Sequence, residues 1–148
     1  MASTIFEAAA RDGLIQRLHV LTPQAKPRWG RLTAAGMLSH LVESCRMALG
    51  ELPVAPKNLP LRFFPLNWLV IHWLPFPKGA PTAPELIARA PGDWEADIQR
   101  LQELLRRVSL RGAHETWPAL PAFGSISGGD WGVLVYRHVD HHFQQFGI

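Results

Sequence analysis

The chain has 148 residues, 47% of them hydrophobic and 18% charged, with a formal charge of +3. That profile suits one globular domain over residues 1–148 and excludes a disordered or fibrous chain. The cations are scattered, the densest group being Arg106-Arg107 with Arg111, so no basic stripe marks a nucleic-acid interface.

Cys45 is the single cysteine, which rules out an intrachain disulfide and favours a reducing compartment. The N-terminus lacks the charged-then-apolar pattern of a secretory leader, so the cytoplasm is the expected location. The most apolar stretch, Leu66 to Pro77, is interrupted by Pro75 and contains His72. It is too short for a transmembrane segment.

A first helix is expected over residues 4–21, with Ser3 as N-cap and Phe6, Leu14, Ile15 and Leu18 on its apolar side. Thr22-Pro23 and Lys26-Pro27 stop it, because a residue before proline avoids the α region. The second helix runs from Ala34 to Leu49, with Thr33 as N-cap and Leu38, Leu41, Val42 and Cys45 at the helical period; Gly50 ends it. A proline-rich connection follows from Glu51 to Pro84, and within it Leu66 to Leu74 reads as a short, mostly buried helix. The third long helix spans residues 93–110, opened by Pro91-Gly92-Asp93 and closed by Gly112. Ser127-Gly-Gly-Asp130 has the form of a capping box and opens the last helix, which runs to Phe146. No strand pair is legible. The fold class is therefore all-α: a four-helix bundle with a long, partly helical connection between helices two and three.

On that last helix His138 and His142 lie only about 40° apart around the axis, in the sector shared by Trp131, Leu134 and Val135. Two inward imidazoles one turn apart can both reach one ion. His40, in the middle of the second helix, is the candidate third ligand. Three histidines would leave coordination positions open, as catalytic sites do and closed structural sites do not. His141 lies on the flank, as a second-shell group, an exchanging ligand or an exposed side chain. Each histidine also has a plainer reading as a hydrogen-bonded core residue. Glu43, Asp130 and Asp140 read as solvated acids, and Cys45 as a small core residue. H-E-x-x-H, G-x-S-x-G and phosphate-loop motifs are missing from the sequence. Because imidazole binds metal only when neutral, affinity is expected to fall below about pH 6.5.

Met37-Leu-Ser-His40-Leu, followed by Trp131-Gly-Val-Leu134-Val-Tyr136-Arg-His138 and then His141-His142 and Gln145-Phe146-Gly147, resembles the DinB/YfiT-like superfamily of metal-dependent proteins. It resembles most a bacterial branch with a His-x-x-His-His-x-x-Gln-Phe-Gly ending. Trp29-Gly30, Ala80-Pro-Thr-Ala-Pro84 and Phe123-Gly124 fit as well, so the likeness covers nearly the whole chain. Where relatives often carry His-Pro before Phe-Gly, this chain has Leu120-Pro121-Ala122. The resemblance implies a four-helix bundle whose His40, His138 and His142 bind a divalent zinc, nickel or iron ion, and it implies a homodimer. It also implies, for some relatives, transferase activity with small thiols.

The leading expectation is a metal-dependent enzyme, a hydrolase or thiol transferase acting on a small-molecule substrate, with His141 and Tyr136 as candidate proton carriers. The alternative is a non-catalytic dimeric bundle that binds a metal or a small ligand, or that uses its apolar segment to dimerise or touch a membrane surface. The apolar 63–76 stretch is expected to line a substrate pocket, form an interface or simply pack.

Overall fold

The computed structural model describes residues 2–148. Its helices are α1 (Ala8–Leu18), α2 (Ala34–Ala48), α3 (Leu66–His72), α4 (Trp94–Arg111) and α5 (Gly128–Gln145), with single 3-10 turns at Pro60–Arg62 and Pro84–Leu86. Among the described residues there is no strand, only an isolated backbone bridge between Leu120 and Gly124. The all-α expectation is met.

Three side-chain caps form. Two are at the expected Thr33 and Ser127, and the third is at Asp93, which caps the third long helix rather than beginning it. Ser3 caps nothing, because α1 starts after Glu7. Thr33 accepts a hydrogen bond from Gly36 N–H, Asp93 from Ala96 N–H, and Ser127 from Asp130 N–H, each contributing about 1 kcal/mol to its helix. Gly50 and Gly112 follow α2 and α4 with φ of 76°, the left-handed conformation that suits glycine after a helix. Leu14 and Leu18 of α1, Leu38 and Leu41 of α2, Leu101 and Leu105 of α4, and Trp131 and Phe143 of α5 meet in one hydrophobic core.

Helix α1 is shorter than its periodicity suggests. Ile5 N–H donates to the Gly132 carbonyl at 3.1 Å, so residues 4–6 lie across α5 instead of adding a helical turn. A Cβ at Gly132 would fall 2.3 Å from Thr4 Oγ1 and 2.4 Å from the Phe6 ring, so any side chain there would have to displace both. At the other end Val20 and Leu21 donate to Arg17 and Leu18 in 3-10 fashion, which tightens and ends the helix.

The reading of α3 as a mostly buried helix is wrong. Only Ile71 is buried, and Phe63, Phe64, Leu66, Trp68, Leu69, Trp73 and Leu74 are exposed. The helix is seated on α5 by polar contacts. Arg137 donates to the carbonyls of Val70, Ile71 and Leu74, and His72 lies 2.6 Å from Asp130. With its attachment made by its C-terminal carbonyls and one histidine, this short, largely apolar helix buries only Ile71 and leaves Leu66, Trp68 and Leu69 exposed.

The three acids are also not simply solvated. Glu43 is buried and contacts Arg46 at 3.1 Å and Arg89 at 3.2 Å. Asp140 pairs with Arg17 at 2.6 Å, and Asp130 is held by His72 and Ser127. Arg89 further bonds buried Asp97, whose other oxygen accepts from Gly92 N–H, and the Arg89 carbonyl accepts from Ser39. This network clamps residues 84–92 between α2 and α4.

Removing Arg89 would leave two buried carboxylates without their shared counter-charge. Arg89→Ala is expected to cost about 3 kcal/mol, the low end of the range for breaking a buried ion pair, because its side chain keeps 25% of its surface exposed. Urea unfolding measures this; a midpoint unchanged within error would show that the clamp adds nothing.

Candidate metal centre

Both arms of the site follow from local structure. Helix α5 presents His138 and His142 one turn apart, and α2 presents buried His40 opposite them. His40 Nε2 and His138 Nε2 are 3.1 Å apart. One nitrogen from each of His40, His138 and His142 lies within 4.8 Å of the others. The ring centroids form a near-equilateral triangle with sides of 5.0, 4.9 and 4.9 Å. The structure thus brings together the three residues singled out by sequence.

Hydrogen bonds select the tautomers. His40 Nδ1–H donates to the Leu86 carbonyl at 3.2 Å, leaving Nε2 as the free lone pair. The carbonyl is supplied by the clamped 84–92 segment. His142 Nδ1 lies 2.9 Å from Gln145 Oε1, and Gln145 Nε2 donates to the Trp29 carbonyl at 2.9 Å. That second bond fixes which end of the amide faces His142, so His142 donates through Nδ1 and its Nε2 is free. Gly30 sits with φ of 76°, and a Cβ there would lie 3.1 Å from Gln145 Nε2. The Trp29-Gly30 turn is shaped to fit against the amide.

These residues suit a divalent ion. Two nitrogens on one tetrahedral zinc at about 2.0–2.1 Å are about 3.3 Å from each other, close to the 3.1 Å between His40 and His138. A backbone carbonyl such as that of Leu86 is a usual partner of a metal-binding histidine's second nitrogen, and the Gln145 amide oxygen takes the same place for His142. Without an ion, the same 3.1 Å contact is a hydrogen bond from His138 to the His40 lone pair.

His141 stands apart from the cluster. It lies about 60° from His138 around the α5 axis, with its ring 5.5 Å from Trp29 and 5.8 Å from Phe76. It lines a cavity of about 230 Å³ with Trp29, Phe76, Lys78, Arg137 and Gln144. Tyr136 packs against the core. Cys45 is buried, and burial pushes its thiol up to about 12, which leaves it inert at neutral pH. Sequence reasoning missed the supporting groups. Gln145 was legible only as a motif letter, although its position one turn after His142 places it on the same face. The Leu86 carbonyl and the Arg89 clamp left no signal.

The three imidazoles resist protonation. Burial lowers the pKa of His40, with the Leu86 bond opposing. Burial, then the neighbouring His142, His40 and His141, hold His138 well below the ordinary value. Burial and His40 bring His142 down to about 4, against the opposing Gln145 bond. Proton competition for a metal therefore begins below the pH 6.5 expected from free imidazole. For the metal-free protein the sign is unfavourable. The unfolded chain takes up protons near pH 6.5 that the native state refuses, so stability falls from there down to the native pKa values. Each histidine contributes a slope of up to about 1.4 kcal/mol per pH unit. Unfolding of metal-free protein between pH 7.5 and 4.5 should show this loss and a shallower one in His142→Asn; equal slopes would mean that His142 is not depressed.

A family model described as the DinB superfamily matches residues 8–146. The match begins with α1 and runs past the end of α5, taking in all three clustered histidines and Gln145. The chain has no match among curated proteins and none among solved structures. With almost its full length matched, the chain belongs to the DinB superfamily.

Proposed function

We propose that His40, His138 and His142 hold one divalent zinc, nickel or iron ion through their Nε2 atoms, on a four-helix bundle. We propose further that the protein is a metal-dependent enzyme of the hydrolase or thiol-transferase type. The observation that carries the reading is the convergence of three imidazole nitrogens within 4.8 Å, with two of the rings held in the tautomer that frees Nε2.

A divalent ion there supplies Lewis acidity toward water, a thiol or a substrate oxygen. The chain supplies the rest. Leu86 and Gln145 keep the rings aimed. The cavity beside His141 offers room for a small molecule, being below the roughly 300–1,000 Å³ of drug-sized ligand sites. Trp29 and Phe76 give it aromatic walls, and Lys78 lies over the Trp29 ring at 4.5 Å. Asp140 on the same wall is already engaged by Arg17 and Gln144, and Arg137 by the carbonyls of Val70, Ile71 and Leu74, which leaves the Lys78 cation to favour an anionic group. His141 stands between this cavity and His142, its ring 5.4 Å from the latter, where it can carry a proton.

Elemental analysis of tag-free protein tests the metal reading, which predicts about one ion per chain on titration. Uptake below about a tenth of an equivalent would remove it. His138→Ala should abolish uptake. Gln145→Leu, which releases the His142 ring without deleting a ligand, should weaken binding about 10–100-fold. Hydrolysis and thiol-transfer assays, metal-loaded against metal-free, then test catalysis. Turnover indifferent to metal would sink the mechanism, and a loaded protein with no turnover would return the reading to a non-catalytic metal binder.

A further inference from the structure

Independently of what the histidines hold, the surface around α3 is built against the ordinary pattern of a water-facing helix. Phe64 is 78%, Trp73 70% and Phe63 69% exposed, with Trp68, Leu69 and Leu74 beside them. Apolar groups this large, exposed together within twelve residues of chain and with the Trp68 and Trp73 rings 6.3 Å apart, mark a contact surface rather than a solvated face.

The charge around the patch narrows its partner. From Leu52 to Pro84 the chain has no Asp or Glu, while Lys57, Arg62 and Lys78 fall within that span. Arg62 directly precedes Phe63-Phe64, and Lys78 follows Phe76-Pro77. Neither forms an ion pair among the described residues. On α5, which packs behind α3, Asp130 is held by His72 and Asp140 by Arg17, so the nearby acids are already engaged.

Two of the six tryptophans are tied down through their indole nitrogens. Trp117 and Trp131 donate their indole N–H to the Gly112 and Pro118 carbonyls. Trp68 and Trp73, like Trp29 and Trp94, donate to none of the described residues, but of these four only Trp68 and Trp73 are exposed. An exposed aromatic ring with a free donor, bordered by cations, is the chemistry of the membrane–water interface.

We propose that the α3 face docks on an anionic phospholipid surface. Phe63, Phe64, Trp68, Trp73 and Leu74 enter the headgroup boundary, and Arg62 meets lipid phosphates. Among the described residues no helix is long and apolar enough to cross a membrane, so the contact is peripheral. A second copy on the same face would set two surfaces of like charge against each other, which is unfavourable at a two-fold contact.

Co-sedimentation of the full chain with phosphatidylcholine vesicles, with and without about one-third phosphatidylglycerol, tests this. Binding is expected only with the anionic lipid and should weaken as salt is raised. Phe64→Ser with Trp73→Ser should reduce it by about tenfold or more. Both positions are exposed, and an unchanged melting temperature confirms that the fold is kept. Arg62→Gln should lower binding to anionic vesicles while leaving the melting temperature alone. Failure to bind anionic vesicles, or equal binding to neutral ones, overturns the proposal. So does a dimer, seen by sedimentation equilibrium, that the double substitution dissociates, because a second copy would then be the occupant of this face.

Discussion

The structure turns on keeping three imidazoles neutral in one small, largely desolvated volume. Three nitrogens within 4.8 Å leave no room for charge on more than one ring, and burial opposes even the first proton. Neutral rings have a directional requirement that charged ones lack: each must give its single N–H somewhere and keep its lone pair free. The surroundings of His40 and His142 meet that requirement with a backbone carbonyl and a side-chain amide. The groups that look most like structural detail, a 3-10 turn at Pro84–Leu86 and a glutamine at the end of α5, therefore set the chemistry of the centre.

Each support is in turn held by a less local device. The Leu86 carbonyl stays on His40 because residues 84–92 are clamped to α2 and α4 by Arg89, with Glu43 on one side and Asp97 on the other. The Gln145 amide stays on His142 because the Trp29 carbonyl takes its N–H and Arg28 N–H donates to the Gln145 carbonyl at 2.7 Å. A buried ion-pair network of this kind is weak evidence for stability as such, since desolvation offsets most of its Coulomb energy. Its use here is positional. It costs little net energy and fixes a carbonyl that no regular helix would place there.

The legible part of the protein was what repeats along a helix. His138 and His142 were readable because one helical turn is a fixed rotation, and the capping residues Thr33, Asp93 and Ser127 announced their helices by chemistry that acts over three residues. His40 was readable as a residue type in the middle of a helix, and its burial against α5 followed only from the fold. Glu43 was misread because a helix position does not say which distant cation it will meet; Arg89 reaches it from another segment. The error over α3 has the same root. Composition marks Leu66 to Leu74 as apolar, but only the contacts of Arg137 and His72 decide which way a short helix faces.

Those contacts also explain why α5 can serve two surfaces at once. Asp130 and Arg137, nearly two turns apart, fall within about 20° of each other around the helix axis, and both grip α3. The sector of His138 is turned about 100° from Arg137, so the residues that seat α3 and those that face His40 do not compete for space. His141 falls between the two sectors, which is why it borders Phe76 on one side and His142 on the other without joining the cluster. A single register shift in α5 would break this division. The Ser127 cap at one end, and the Gln145 bond to Trp29 at the other, pin that register.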